Sequence, residues 1–299
     1  MRRRDFLNTA AGLALARPAT AAPPMIVDTH THFYDPARAQ GVPWPAKADT
    51  TLYRTVLPKD FVAITKPLGV TGTIIVEASA WLEDNQWILD MAANEPAIFG
   101  FVGHLEAGRP EFRSNLARFH KNRLFLGIRL SSSSLSQIPA NAQLVSDLKA
   151  LAAQGLELDA IGGPSVLTQV ARLTDRVPEL RVVIDHLPFD APTDSALREL
   201  AKRERVYAKV SNVPRSAGGR VPEDVSSYRP ALDELWEIFG PDRLVYASNW
   251  PVSDKVAPYA TALKIVTEYF AGKGPEAAEK FFWKNSKAAY RWDGKKLFP

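Results

Sequence analysis

Apolar residues in this chain gather in short runs that stop at polar side chains. Eight such runs follow one another: Met25–His30, Gly72–Ala78, Ile98–His104, Leu124–Leu130, Leu156–Ile161, Arg181–His186, Val206–Ser211 and Leu244–Ser248. Most are rich in Val, Ile and Leu without strict alternation, the pattern of strands buried on both faces. Between them the period becomes helical. Trp87, Ile88 and Met91 share one face of 84–94, and Phe112, Leu116 and Phe119 share one face of 110–121, which opens on Pro110, a favoured first helical residue. Helical patterns continue over 142–154, 164–176, 193–203, 228–239, 259–271 and 275–290. Strand and helix alternating eight times predict an α/β fold, a (β/α)8 TIM barrel in one domain, rather than a doubly wound sheet. The segment 36–58, with Trp44 and Tyr53, has no clear period, and its place after the first strand would lay it over the catalytic face.

In such a barrel the active site sits at the carboxyl ends of the strands. That rule selects few residues. His30 and His32 end the first run, and alternation in an extended segment points both the same way. His186 follows Asp185 at the end of the sixth. Glu77 ends the second, Arg129 the fourth, Lys209 and Ser211 the seventh, and Asn249 and Trp250 follow the eighth. Paired imidazoles suit two tasks, holding a metal ion or polarising a carbonyl. Arg129 suits a bidentate contact with a substrate carboxylate or an ion pair with Glu77. His104 and His120 have no partner in sequence and read as structural. Gly162-Gly163-Pro164 lacks the Lys-Ser/Thr pair of a phosphate loop and reads as a turn.

The order of these residues resembles the amidohydrolase-related family of metal-dependent-hydrolase-like barrels, in its lactonase branch. Asp28-Thr29-His30-Thr31-His32 resembles the family's opening Asp-x-His-x-His. Gly127-Ile128-Arg129, Asp185-His186, Lys209-Val210-Ser211, Ser248-Asn249-Trp250-Pro251-Val252 and Asn285-Ser286 resemble its later motifs. The resemblance implies a hydrolase that opens a lactone by water attack on the ring carbonyl. It implies His30, His32, His186, Asn249 and Glu77 as catalytic residues, and Arg129, Lys209, Ser211, Trp250 and Tyr53 as contacts to a small anionic lactone. It allows either no metal or one divalent ion such as zinc on His30, His32 and His186, and points to no organic cofactor. One departure matters. The family's eighth-strand carboxylate is Asn249 here, and an amide is no useful base near neutral pH. Two other readings therefore stand: a sugar-acid lactone isomerase, whose similar family members carry Asn at this position, and a binding protein that kept the pocket and lost the base.

Composition narrows the setting. The formal charge is +4, but Arg2, Arg3, Arg4 and Arg17 against Asp5 place three of those four charges in residues 1–21. The near-neutral remainder gives no footprint for nucleic acid. The chain has no cysteine, which removes disulfides, thiolate nucleophiles and zinc–thiolate sites. Arg3-Arg4-Asp5-Phe6-Leu7-Asn8, then a weakly apolar Thr9 to Ala16, then Ala19-Thr20-Ala21, read as a twin-arginine signal peptide over 1–21. The apolar stretch is too short for a permanent membrane anchor. The body, 22–299, is expected in the periplasm after passage through the twin-arginine translocation machinery. Replacing Arg3 and Arg4 by Lys should strand the protein in the cytoplasm; periplasmic fractions with undiminished protein would refute the export reading.

Overall fold

The computed structural model describes residues 25–189 and 193–293. The expected export segment lies outside them. Eight parallel strands pair in chain order: β1 (Val27–Thr31), β2 (Gly72–Val76), β3 (Ile98–Gly103), β4 (Phe125–Ser131), β5 (Glu157–Ile161), β6 (Arg181–Leu187), β7 (Val206–Val210) and β8 (Leu244–Tyr246). Helices cover the outer face, as parallel crossovers require. The ring closes where Thr31 bridges Trp250 and the His32 N–H donates to the Trp250 carbonyl at 2.9 Å. The fold is a (β/α)8 TIM barrel, and every expected strand is present with its ends displaced by no more than two residues.

Three helical regions differ from the sequence reading, the shortest a single turn at Ser132–Leu135. A helix at Pro58–Thr65 follows the long first loop, with Pro58 as its first residue and Asp60 accepting the Leu57 N–H at 2.9 Å. Its buried face is Pro58, Phe61 and Thr65, and with a threonine on that face it leaves no clear apolar period. The last region, read as one helix, is Pro275–Glu279, a π-helical turn Lys280–Lys284 and Asn285–Tyr290. The extra turn residue keeps Asn285 aimed inward, where its amide donates to the carbonyls of Pro241 and Leu244 at 2.8 and 2.9 Å. Among the described residues no helix is long and apolar enough to cross a membrane.

Alternation along the strands sorts the two layers. On β5, Leu158 and Ala160 pack among the helices, while Glu157 and Asp159 face the other way, into the barrel. A second apolar cluster stands apart from the main core. Val27, Ile74, Val76, Val102, Val183 and Val245 pack there with Tyr290 and Trp292. Gly127 is forced by closeness: a Cβ would stand 2.3 Å from a Glu157 carboxylate oxygen and 2.4 Å from its backbone carbonyl.

One carboxylate fastens the closing seam. Asp28 on β1 accepts the backbone N–H of Ser248 at 2.9 Å, that of His30 at 3.1 Å and the Tyr259 hydroxyl at 3.0 Å. The group is fully buried, and burial raises its pKa to about 6, although the hydrogen bonds act downwards. Asp28→Ala should leave two backbone N–H groups buried without acceptors, at about 1–3 kcal/mol each. We expect the thermal midpoint to fall by roughly 5–10 °C, and a midpoint equal to wild type would show that the seam does not depend on Asp28.

Candidate active site

The carboxyl ends of β1 and β6 bring three imidazoles together. The Nε2 atoms of His30 and His32 lie 3.2 Å apart, and the His30 ring stands 4.5 Å from that of His186, centroid to centroid. His32 is anchored from behind, its Nδ1 2.9 Å from the Val76 carbonyl at the end of β2. His186 is anchored by Ser211 at the end of β7, with Nδ1 and Oγ 2.8 Å apart. His30 is wholly buried beneath the other two.

Three successive strand ends carry left-handed backbone: His186 (φ 62°), Asn212 (φ 51°) and Asn249 (φ 61°). Asparagine tolerates this region and histidine does so less readily, so the turn at His186 stores strain that the Ser211 contact helps to hold. The Asn249 amide donates to the Asn212 side chain at 3.0 Å, which ties the ends of β7 and β8 together.

These ends open on a cleft of about 380 Å³ lined by His32, Trp44, Ala78, Arg129, Ile161, His186, Asn249 and Val252. Of the expected substrate contacts, Arg129 alone lines it. Lys209 lies beneath the floor with no exposed surface. Ser211 touches His186 rather than the cleft. Trp250 turns away and packs on Phe33 and Phe61, with ring centroids 6.2 and 5.8 Å away. Tyr53 sits in the overlying loop and is absent from the lining. Glu77, expected to act in catalysis, is spent on Arg129: the guanidinium donates from Nε to its carboxylate at 2.9 Å and from Nη2 to its backbone carbonyl at 2.7 Å. That leaves the Arg129 Nη1 hydrogens for a ligand. His104 is held through its backbone by Asn85, and His120 is exposed at the far end of the barrel.

The loop 36–58 is pinned over the cleft by ion pairs on its flanks. Arg38 meets Asp84 at 2.5 Å and stacks over Trp87 at 4.4 Å, Asp49 meets Lys255 at 2.5 Å, and Arg54 reaches Asp254 at 3.5 Å. The pinned loop delivers Trp44, whose ring is 5.6 Å from that of His32.

Beneath the histidines is a buried ionic cluster only half visible in the sequence. Lys209 pairs with Asp159 at short range and with Asp185 at 2.9 Å, and its Nζ is 3.1 Å from His30 Nδ1. Tyr290 donates to Asp159 at 2.9 Å. Asp159 leaves only a faint mark in the sequence, as one of a pair of alternating acids, Glu157 and Asp159, inside an otherwise apolar run. Burial opposes the charge on Lys209, yet the two carboxylates raise its pKa, and it is an ammonium. Burial likewise acts upward on Asp185, but the Lys209 ammonium beside it holds it well below the usual carboxylate range. Burial and Asp185 lift Asp159 to about 6. Among the imidazoles, burial and Lys209 hold His30 far down, burial and Arg129 hold His32 at about 3, and burial holds His186 at about 4. All three rings are neutral at neutral pH.

An amidohydrolase family model matches residues 27–292. This chain belongs to the amidohydrolase family. The amidohydrolase is 27% identical over 283 residues to an L-fucono-1,5-lactonase of Burkholderia ambifaria, spanning 89% of this chain and 96% of that one. An L-fucono-1,5-lactonase of Burkholderia multivorans is 25% identical, over 86% of this chain and 92% of its own. A crystal structure of a B. multivorans amidohydrolase with bound zinc shares the fold, with a TM-score of 0.78 at 22% identity over 90% of this chain and all of that one. In this amidohydrolase His30, Asp185 and His186 can each bring one donor atom within 4.8 Å of the others. The donor types suit zinc, but the surroundings do not: an ammonium already occupies the Asp185 and His30 Nδ1 side.

The left-handed turn at position 249 has a direct test. Asn249→Ala and Asn249→Gly both remove the amide contact to Asn212, and only alanine keeps a Cβ. Alanine should be less stable by about 1 kcal/mol in urea unfolding; equal midpoints would mean that the turn relaxes freely.

Proposed function

We propose that this amidohydrolase opens the lactone of a sugar acid or a related carboxylated molecule, adding water across the ring ester. The observation that carries the reading is the convergence of His32, His186, Asn249 and Arg129 on one cleft. The likeness to L-fucono-1,5-lactonases over most of the chain supports it. Water attacks the ring carbonyl carbon, the acyl C–O bond breaks, and the released alkoxide takes a proton to give the hydroxy acid. His186 is the side chain suited to receive the proton from water. Its Nδ1 is occupied by Ser211, its ring is neutral, and it lines the cleft. The Nη1 edge of Arg129 takes the anionic group of the substrate. The N-terminal Arg3-Arg4 segment supports a periplasmic setting for this reaction.

A second reading rests on Asn249. Without a carboxylate at the end of β8, water is activated less strongly, and a hydroxyl of the substrate can attack the carbonyl instead, exchanging one lactone ring size for another. A panel of five- and six-membered sugar lactones, followed by NMR, separates open acid from rearranged ring. We expect open acid as the main product for wild type. Arg129→Lys should raise KM on carboxylated lactones roughly ten-fold, because the planar fork is lost while the charge remains. Asn249→Asp should speed hydrolysis by roughly 10²-fold or more, the scale on which a general base acts. Rearranged ring as the main product would transfer the assignment to the isomerase, and no turnover of any lactone would overturn both.

A further inference from the structure

We infer that Lys209 is the resident cation of this site: it fixes the proton of His30 on Nε2 and so denies that histidine to a divalent metal ion.

The argument is one of donors and acceptors. An ammonium has three N–H donors and no lone pair. The three neighbours of Lys209 Nζ are Asp159, Asp185 at 2.9 Å and His30 Nδ1 at 3.1 Å, all fully buried. Toward His30 the ammonium can only donate, so Nδ1 is the bare nitrogen and the ring proton is on Nε2. At the other end, the Val76 carbonyl can only accept, so His32 carries its proton on Nδ1 and its Nε2 is bare. Between these fixed ends, His30 Nε2–H donates to His32 Nε2 at 3.2 Å. Asp185 Oδ1 also stands 3.5 Å from His30 Nδ1, but the ammonium is nearer and takes that lone pair, so every proton in the chain from Lys209 through His30 and His32 to Val76 is assigned and no donor faces a donor.

A divalent ion needs a lone pair from each imidazole that holds it. His32 Nε2 offers one and His30 Nε2 does not. For His30 to ligate, its proton must move to Nδ1, where it would face the Lys209 ammonium. A carboxylate that would complete the coordination, Asp185, is held by the same ammonium. Lys209 thus removes two of the three candidate donors while placing a positive charge beside the third position. It acts through His30 and does not touch the cleft, which makes it a positioning residue.

The chain has five histidines, so their ring nitrogens can be resolved individually. Wild-type protein labelled with ¹⁵N-histidine and examined by long-range ¹H–¹⁵N correlation near neutral pH should show His30 as the Nε2–H tautomer and His32 as the Nδ1–H tautomer. His30 protonated on Nδ1 would overturn the inference without any mutation. The second arm measures zinc affinity by competition with a chromophoric chelator. Lys209→Met combined with Asp159→Asn removes the ammonium and one of its two counter-charges, which keeps the buried charge close to balance. Its zinc affinity should rise by roughly 10–100-fold over wild type, the usual scale for groups behind a metal ligand. Lys209→Arg, which keeps the charge, should stay within a few-fold of wild type. Zinc binding as weak in the double variant as in wild type would refute the assignment.

Discussion

The site depends on a seam. A barrel of eight strands has one pair that chain order does not bring together, and here that pair is β1 and β8. Three backbone and hydroxyl donors converge on Asp28 to hold it. The Asp28 contact to Ser248 sits two residues before His30 on one strand and one residue before Asn249 on the other. The chemistry is thus mounted directly on the closing joint. The geometry of His32 and Asn249 across the cleft can be no better defined than this carboxylate makes it. Burying a carboxylate is costly, and its raised pKa measures that cost. The compensation is two N–H groups that would otherwise face no acceptor.

The barrel interior divides its load between two groups of side chains. One part is the apolar cluster of Val27, Ile74, Val76, Val102, Val183 and Val245 with Tyr290 and Trp292, which supplies burial. The middle layer holds Glu157, Asp159, Asp185 and Lys209, all without exposed surface. Such clusters contribute little to stability relative to apolar packing, because desolvation offsets most of the attraction between the ions. Their use here is orientation. Lys209 and Asp185 sit directly below His30 and set its electrostatic surroundings, and Ser211 on the same strand as Lys209 aims His186. The catalytic face is therefore built from below, by a fixed arrangement of charges in a water-free layer, rather than from the loops above.

Much of the fold was legible because strands buried on both faces leave compact apolar runs, and each of these runs ended at a polar side chain. The convergence of His30, His32 and His186 was legible for the same reason: barrel geometry places strand ends on one rim. The partners of those residues were not. Nothing in the spacing of Glu77 and Arg129 states that one neutralises the other, and Trp250 occupies a strand end while its indole packs outward among Phe33 and Phe61. A strand end fixes the location of a Cα, whereas the direction of a side chain depends on neighbours far away in sequence. Asp159 was missed because its meaning comes from Lys209, fifty residues later. The Pro58–Thr65 helix buries a threonine beside Pro58 and Phe61 and so leaves no apolar period.

The left-handed turn at Asn249 has a consequence for how this enzyme could change over generations. Few residue types sit comfortably at such a backbone position, and aspartate and asparagine are two of them. They have the same shape, and their codons differ by one base. The same turn can therefore present an acid or an amide to the cleft, provided the Asn212 side chain turns its N–H₂ toward an aspartate in place of the oxygen that now accepts from Asn249. The backbone of the turn is thus no barrier to exchanging the two residues, and the cost of the exchange falls on one side-chain contact, that with Asn212.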